Sequence, residues 1–209
     1  EANDKLLIEY NKANPNAQIK EDILILPDED MLEMVKAANV LGNTTIRYIA
    51  VRDYFSRKKL DDKIVVAMLE QIIGFQGVSI QDLKLIEMLP QDFFEKADVE
   101  TLRIGADAYI KMGNAQKAMN FLAKILSKDA NDWRSWTSYS LILLQTTRDP
   151  SRSAQFLIKG DQAARACGEH VKFRELIASI PELKQLYGLI LQQQSQSLQG
   201  LPMGMGPTR

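Results

Sequence analysis

The segment YIKMGNAQKAMNFLAKIL, residues 109–126, places one glycine between two amphipathic stretches. Gly113 closes the first stretch, and Ala118, Leu122 and Ile125 recur at helical spacing in the second. Glycine commonly ends a helix because it adopts the left-handed backbone conformation without a steric cost. The segment therefore predicts two helices joined by a tight turn at Gly113.

The flanking residues extend this pattern to a unit of about 34 residues. Small side chains let two antiparallel helices approach closely, so we expect Ala106 and Ala118 at the crossing, with Tyr109 and Leu122 beside them. The pattern resembles the tetratricopeptide repeat. The residues of this chain that form the pattern are Leu102, Gly105, Ala106, Tyr109, Gly113, Ala118, Leu122, Ile125 and Ala130.

A second, degenerate copy of the unit begins at Trp133, within an overall match that spans residues 99–167. Trp136 takes the place of the first large residue, whereas Leu143 replaces the tyrosine and Thr147 replaces the glycine. Ala154 matches the small residue of the second helix if the turn TTRDP carries two extra residues. Repeats of this kind bury their faces against neighbours, so the flanking helix pairs are expected to act as atypical repeats or caps.

The rest of the chain also reads as successive helices, and the predicted fold is all-α. The resemblance implies antiparallel helix pairs stacked as a right-handed tetratricopeptide-like α-solenoid. We expect an N-terminal helical region at 1–95, repeats with C-terminal capping helices at 96–197, and a flexible tail at 198–209.

Local signals in the N-terminal region predict helix starts rather than ligand sites. The acidic residues at 28–30 are interpreted as the first turn of a helix, where they face the positive end of the helix dipole. A calcium-binding loop is disfavoured, because the glycine and distal glutamate of an EF-hand are missing. The helix predicted at 44–59 splits its cations between faces, so a solvated basic helix is favoured over nucleic-acid binding through Arg47, Tyr54 and Lys58.

The overall composition excludes several classes of site. Net charge is −1, so nothing global favours nucleic acid or an anionic membrane, and no run of 18 apolar residues could span a bilayer. Cys167 is the only cysteine and His170 the only histidine, which excludes an internal disulfide and leaves no set of metal ligands. We therefore predict no nucleic-acid partner, no cofactor and no metal.

We find no catalytic constellation in the sequence. Cys167 and His170 would share a helical face if their helix continued, but Gly168 favours a break between them. No phosphate-binding glycine loop follows a predicted strand, because the glycines of GFQG close a helix. The prediction is a protein that is not an enzyme.

The resemblance implies a concave groove lined by the first helix of each pair. Tetratricopeptide proteins that grip chaperone C-termini use asparagine and lysine where this chain has Asp107, Arg103 and Ser138, so it departs from that clamp. Arg103, Asp107 and Lys111 lie four apart, and exposed ion pairing among them is the alternative to ligand contact. The predicted groove residues are Arg103, Asp107, Ile110 and Lys111 in the first unit and Arg134, Thr137 and Leu141 in the second.

The function that the resemblance implies is a non-enzymatic interaction or assembly scaffold that binds a peptide or partner domain. A second hypothesis is a soluble regulatory domain of a larger, membrane-anchored protein, since the chain begins without methionine. An enzyme with an unfamiliar site is a third. Self-association through Leu201, Met203 and Met205 of the tail is also considered.

Overall fold

A computed structural model describes residues 26–75, 78–90 and 92–199 of the chain. In these ranges the protein contains eleven α-helices, one short 3-10 turn at Leu85–Met88 and no strand, which confirms the all-α prediction. Residues 1–25 of the predicted N-terminal helical region lie outside the described residues. The helices are α1 (Asp28–Val40), α2 (Thr44–Phe55), α3 (Asp62–Ile73), α4 (Ile80–Lys84), α5 (Phe93–Lys96), α6 (Val99–Lys111), α7 (Ala115–Lys128), α8 (Trp133–Thr147), α9 (Pro150–Ala166), α10 (His170–Ser179) and α11 (Pro181–Gln199).

The chain divides into two compact units, Glu1–Val78 and Ser79–Arg209. This boundary lies upstream of the one expected after residue 95, because α4 packs against α6 within the second unit. In the first unit, α1 packs against both α2 and α3. The acidic residues at 28–30 form the first turn of α1, as predicted.

Two side chains expected on a solvated basic helix are instead buried in the first unit. Arg47 is 1% exposed and donates to Asn39 Oδ1 at 3.0 Å, with its guanidinium 4.3 Å from the centre of the Phe75 ring. Tyr54 is fully buried and donates to Asp28 Oδ2 at 3.0 Å; burial, with Asp28 nearby, raises its pKa to about 12. The solvated-helix prediction was wrong here because partners from α1 and from beyond α3 enclose this face.

The second unit contains three consecutive pairs of helices in contact: α6 with α7, α8 with α9, and α10 with α11. Further contacts join α7 to α8 and α9 to both α10 and α11. Each helix thus buries its apolar stripe against the pair to which it belongs and against the pair that follows or precedes it.

The α6–α7 pair has the predicted turn at Gly113, and the two alanines expected at its crossing are buried. Gly113 adopts φ +70°, which an L-residue side chain disfavours, and Asn114 caps α7 by accepting from the Lys117 amide. Ala106 and Ala118 are both fully buried. Gly105 of α6 also lies against the Phe121 ring of α7, where a Cβ atom would be only 2.4 Å from Phe121 Cε1.

The α8–α9 pair crosses at two buried serines. Ser140 Oγ donates to the Ser153 carbonyl at 2.9 Å, and Ser153 Oγ donates to the Ser140 carbonyl at 2.7 Å. Ser153 and not Ala154 therefore supplies the small residue of the second helix. The turn carries one extra residue rather than the two expected, and it places Arg148 at φ 52° before the Asp149 cap.

The C-terminal pair, α10 and α11, encloses an apolar cluster centred on Phe173, Leu157 and Leu183, which are all fully buried. Pro181 opens α11 at a position where a missing amide costs no hydrogen bond. Helix α11 continues to Gln199, so residues 198–199 of the predicted tail are helical. The other tail residues, including Leu201, Met203 and Met205, lie outside the described residues.

The cap of α6 provides a first test of this fold. Asp98 accepts from the Thr101 amide at 2.8 Å, and this bond lowers the pKa of the Asp98 carboxyl. Asp98→Ala is expected to lower the free energy of unfolding by about 1 kcal/mol at pH 7. Because the folded-state pKa is depressed, the contribution of the charge is complete above about pH 4 and is lost as pH falls through the folded-state pKa.

Urea unfolding followed by tryptophan fluorescence at pH 7 and pH 3 would measure this effect. The loss in free energy of unfolding caused by Asp98→Ala should be smaller at pH 3 than at pH 7. Asp98→Asn is the control, because asparagine caps a helix about as well without titrating. A deficit of equal size at both pH values would contradict the assignment.

Candidate partner-binding site

A concave pocket of about 540 Å³ lies in the second unit and is lined by residues of α6, α8 and α10 together with Leu122 of α7. The helices α6, α8 and α10 are the first helices of the three consecutive pairs. Helical spacing aligns the lining side chains: positions 103 and 107 are four apart on α6, and positions 134 and 138 are four apart on α8. The lining residues are Arg103, Asp107, Leu122, Trp133, Arg134, Ser135, Ser138, Lys172, Glu175, Leu176 and Ser179.

An ion pair joins α6 to the start of α8 at the edge of this pocket. Arg103 Nη1 lies 3.1 Å from Asp132 Oδ2, and Arg103 Nε lies 3.4 Å from Glu100 Oε2. Burial alone would lower the pKa of Arg103, but Asp132 and Glu100 outweigh burial and raise it. Because the Asp132 side chain is only 8% exposed, its contact with Arg103 is shielded from solvent and holds the two helices in register.

A second polar contact joins α8 to α10. Trp133 Nε1 donates to Glu169 Oε2 at 2.8 Å, and Lys172 Nζ lies 2.6 Å from Glu169 Oε1. Both donors lower the pKa of the Glu169 carboxyl, the lysine more strongly. The Trp133 ring also meets Phe173 edge to face, with 5.9 Å between ring centres. The pocket wall is therefore built from contacts between consecutive helix pairs.

Three charged groups remain available for a ligand in this pocket. Arg134 lies over the Trp133 ring, 5.2 Å from its centre, and no carboxylate of the described residues forms an ion pair with it. Within the same part of the chain, Asp107 and Glu175 also have no ion-pair partner within 4.0 Å. The Arg103 and Lys172 charges, by contrast, are matched by acidic neighbours.

Burial by the surrounding protein raises the pKa of the Asp107 carboxyl in this pocket. Its side chain reaches solvent, but the surrounding protein desolvates the carboxyl enough to raise its pKa, against the opposing charges of Arg103 and Lys111. A concave wall explains this, because it removes water from one side of a carboxylate that is still accessible from the other. The ionised form is therefore less stable here than in water.

Asp107→Asn is accordingly expected to stabilise the protein slightly at pH 7. An acid with a raised folded-state pKa loses stability as pH rises through the interval between its unfolded and folded pKa values, so at pH 7 the charge is a net cost. The gain should stay within about 0.5 kcal/mol, as for other solvent-accessible sites, and should vanish near pH 3. Urea unfolding at both pH values would measure it, and destabilisation at pH 7 would contradict it.

The pocket includes three of the seven residues predicted to line a groove: Arg103, Asp107 and Arg134. Ile110 and Lys111 are exposed at the end of α6, outside the lining. Thr137 is buried and donates to the Trp133 carbonyl at 2.8 Å, and Leu141 packs against the C-terminal apolar cluster. These last two side chains contribute to the fold rather than to an accessible surface.

Half of the eight lining residues that sequence reasoning missed come from α10. Lys172, Glu175, Leu176 and Ser179 follow each other at intervals of three, one and three residues, which places them on one helical face. This spacing is visible in the sequence. It was missed because the helix was interpreted only as a cap, and a cap is not expected to contribute to the groove.

The Cys167 and His170 pair does not form one helical face. Helix α9 ends at Cys167, and Gly168 turns the backbone with φ +75° before α10 begins at His170. The Cys167 thiol donates to the Ala164 carbonyl at 3.6 Å. His170 Nε2 instead lies 2.9 Å from Asp161 Oδ1, next to the Arg165 and Tyr187 contacts of the same carboxylate.

Two further searches concern the described ranges only. No three or more His, Cys, Asp or Glu side chains there are placed to hold a metal ion together. Of the helices in those ranges, none combines the length and the apolarity that crossing a bilayer requires.

No family model, curated protein or solved structure matches this chain. The functional interpretation of the pocket therefore depends on its own geometry and chemistry.

Proposed function

We propose that the second unit is a non-enzymatic binding module that receives a peptide segment or a partner domain in the pocket formed by α6, α8 and α10. We further propose that its helix pairs stack as a right-handed, tetratricopeptide-like solenoid with residues 99–167 as two degenerate units. In such an array the first helix of each pair lines the concave surface. The pocket would be one part of that surface.

The observation that carries this proposal is that all but one of the lining residues lie on alternate helices, α6, α8 and α10, one from each consecutive pair; the exception is Leu122 of α7. Contacts across successive pairs support a stacked arrangement: Arg103 with Asp132, and Trp133 with Glu169. These contacts fix the side chains of the pocket wall before a ligand binds. Binding would therefore carry a smaller entropy cost for ordering them.

A peptide display library selected on the purified full chain tests the proposal. Enriched peptides would be synthesised and titrated against the native protein and against Arg134→Glu, which reverses a pocket charge that has no ion pair among the described residues. We expect Arg134→Glu to change affinity at least about fivefold, because charge reversal inside an interface affects both attraction and repulsion.

Arg174→Glu is the matched control for this experiment. Arg174 is exposed on α10 but is not among the residues that line the pocket, so the same charge reversal leaves the pocket unchanged. The native affinity should be retained in this variant. Failure to enrich any peptide, or equal affinity in all three proteins, would overturn the proposal.

A further inference from the structure

We infer that the pocket selects a basic side chain, lysine or arginine, of the partner segment, with its cationic head between Asp107 and Glu175. The inference rests on the proposed function, because it names the chemistry of the partner at the same site. It depends on charge complementarity, on the solvation of Asp107 and on the apolar floor of the pocket.

The charges of the pocket leave an acidic excess once its internal ion pairs are accounted for. Arg103 is matched by Asp132 and Glu100, and Lys172 is matched by Glu169. Among the described residues, the lining groups without an ion pair are two carboxylates and one guanidinium: Asp107, Glu175 and Arg134. A single added cation would balance this set.

The Asp107 carboxylate favours a cation more than an ordinary surface acid does. The wall of the pocket desolvates it, so it lacks part of the hydration that normally competes with an ion pair. Arg103 and Lys111 on the same helix compensate only in part. A ligand ammonium or guanidinium would pair with this carboxylate and stabilise its ionised form.

The remaining lining suits the stem of a long basic side chain. Leu122 and Trp133 are 3% and 4% exposed and form the apolar floor, and half-buried Leu176 lies beside them. Lysine and arginine bury their methylene stems on apolar surface while the charged head stays near polar groups. Arg134 would repel a second cation, which limits the site to one basic residue.

Titration of the isotope-labelled full chain, followed by backbone amide shifts in NMR, tests the inference. The probes are Nα-acetyl-lysine amide and Nα-acetyl-arginine amide, with Nα-acetyl-norleucine amide as an uncharged stem and Nα-acetyl-glutamate amide as the opposite charge. We expect saturable shifts near residues 107 and 175 with the two basic probes, weaker shifts with norleucine, and a loss of the difference at about 1 M salt, where the Debye length is about 3 Å.

Substitutions test whether the basic probes bind through the pocket carboxylates and not through the overall charge of the protein. Asp107→Asn and Glu175→Gln should each weaken the basic probes about two- to fivefold, which is the range of an accessible ion pair. Glu182→Gln removes the same charge at an exposed position of α11 outside the pocket and should leave their affinity unchanged.

The outcomes distinguish this inference from the proposed function. Preferential binding of the glutamate probe, or equal binding of the lysine and norleucine probes, would overturn the inference while the pocket remained a binding site. If none of the probes shifts the pocket residues, the inference is overturned, and the display selection decides separately whether a larger segment binds there.

Discussion

Phe173→Ala is expected to lower the free energy of unfolding of the second unit by about 3–5 kcal/mol, the largest effect of any substitution considered. The Phe173 side chain is fully buried, and its ring meets Trp133 and Tyr187 edge to face, with 5.9 and 5.6 Å between ring centres. Alanine would remove the apolar contacts and leave a cavity between α8, α10 and α11. The surrounding structure fills such a cavity only in part, so the lost apolar contacts and the remaining cavity both lower the free energy of unfolding.

Tryptophan fluorescence isolates this effect experimentally. Both tryptophans of the chain, Trp133 and Trp136, lie on α8, so the signal reports unfolding of the second unit. Val171→Ala is the control, because Val171 is on the same helix but 69% exposed, and its substitution should change stability by no more than about 0.5 kcal/mol. A loss below about 1 kcal/mol for Phe173→Ala would mean that α10 does not pack as described.

Gly105→Ala should be the second most damaging substitution. A Cβ atom at this position would lie 2.4 Å from Phe121 Cε1 and 2.7 Å from Cδ1. The ring cannot move aside easily, since Phe94 and Tyr109 lie against it with ring centres 4.9 and 5.5 Å away. Overpacking costs about 1–3 kcal/mol, and the better helix propensity of alanine returns up to about 1 kcal/mol, so we expect a net loss of about 1–2 kcal/mol.

Gly188→Ala is the matched control and should have the opposite sign. Gly188 lies within α11, and a Cβ there would meet no atom within 4 Å, so only the helix propensity changes. The free energy of unfolding should rise by about 0.5–1 kcal/mol.

A double substitution tests the contact itself. Combining Gly105→Ala with Phe121→Leu should cost less than the sum of the two single substitutions, since the smaller side chain relieves the clash. Strict additivity would contradict the proposed contact.

The helices of this protein were largely predictable because their signals are local. A cap bonds to an amide two or three residues away, as Asp61 and Ser79 do, and an apolar stripe repeats within one or two turns. The left-handed turn at Gly113 follows from the same short-range geometry. Sequence reasoning therefore located helix ends well wherever a capping residue or glycine was present.

The candidate site was predictable only in part, because its composition depends on which helix faces meet. Arg103 and Arg134 were expected from the alignment with the tetratricopeptide pattern, whereas the α10 residues join them only through the packing of consecutive pairs. Thr137 shows the opposite error. Its spacing matched a groove position, but the neighbouring α9 buries it, with Gly160 close enough that a Cβ there would lie 3.3 Å from Thr137 Oγ1.

Amino-acid order alone settles the helical class of this chain and the ends of most helices, since each depends on neighbours within a few positions. Tertiary packing decides that Arg47 is buried, that Gly105 lies against Phe121, and that residues of α6, α7, α8 and α10 line one pocket. The bonds that build the pocket join residues 29 and 36 positions apart, from Arg103 to Asp132 and from Trp133 to Glu169. No local pattern specifies such pairs, because their free energy appears only after the intervening helices have folded and docked.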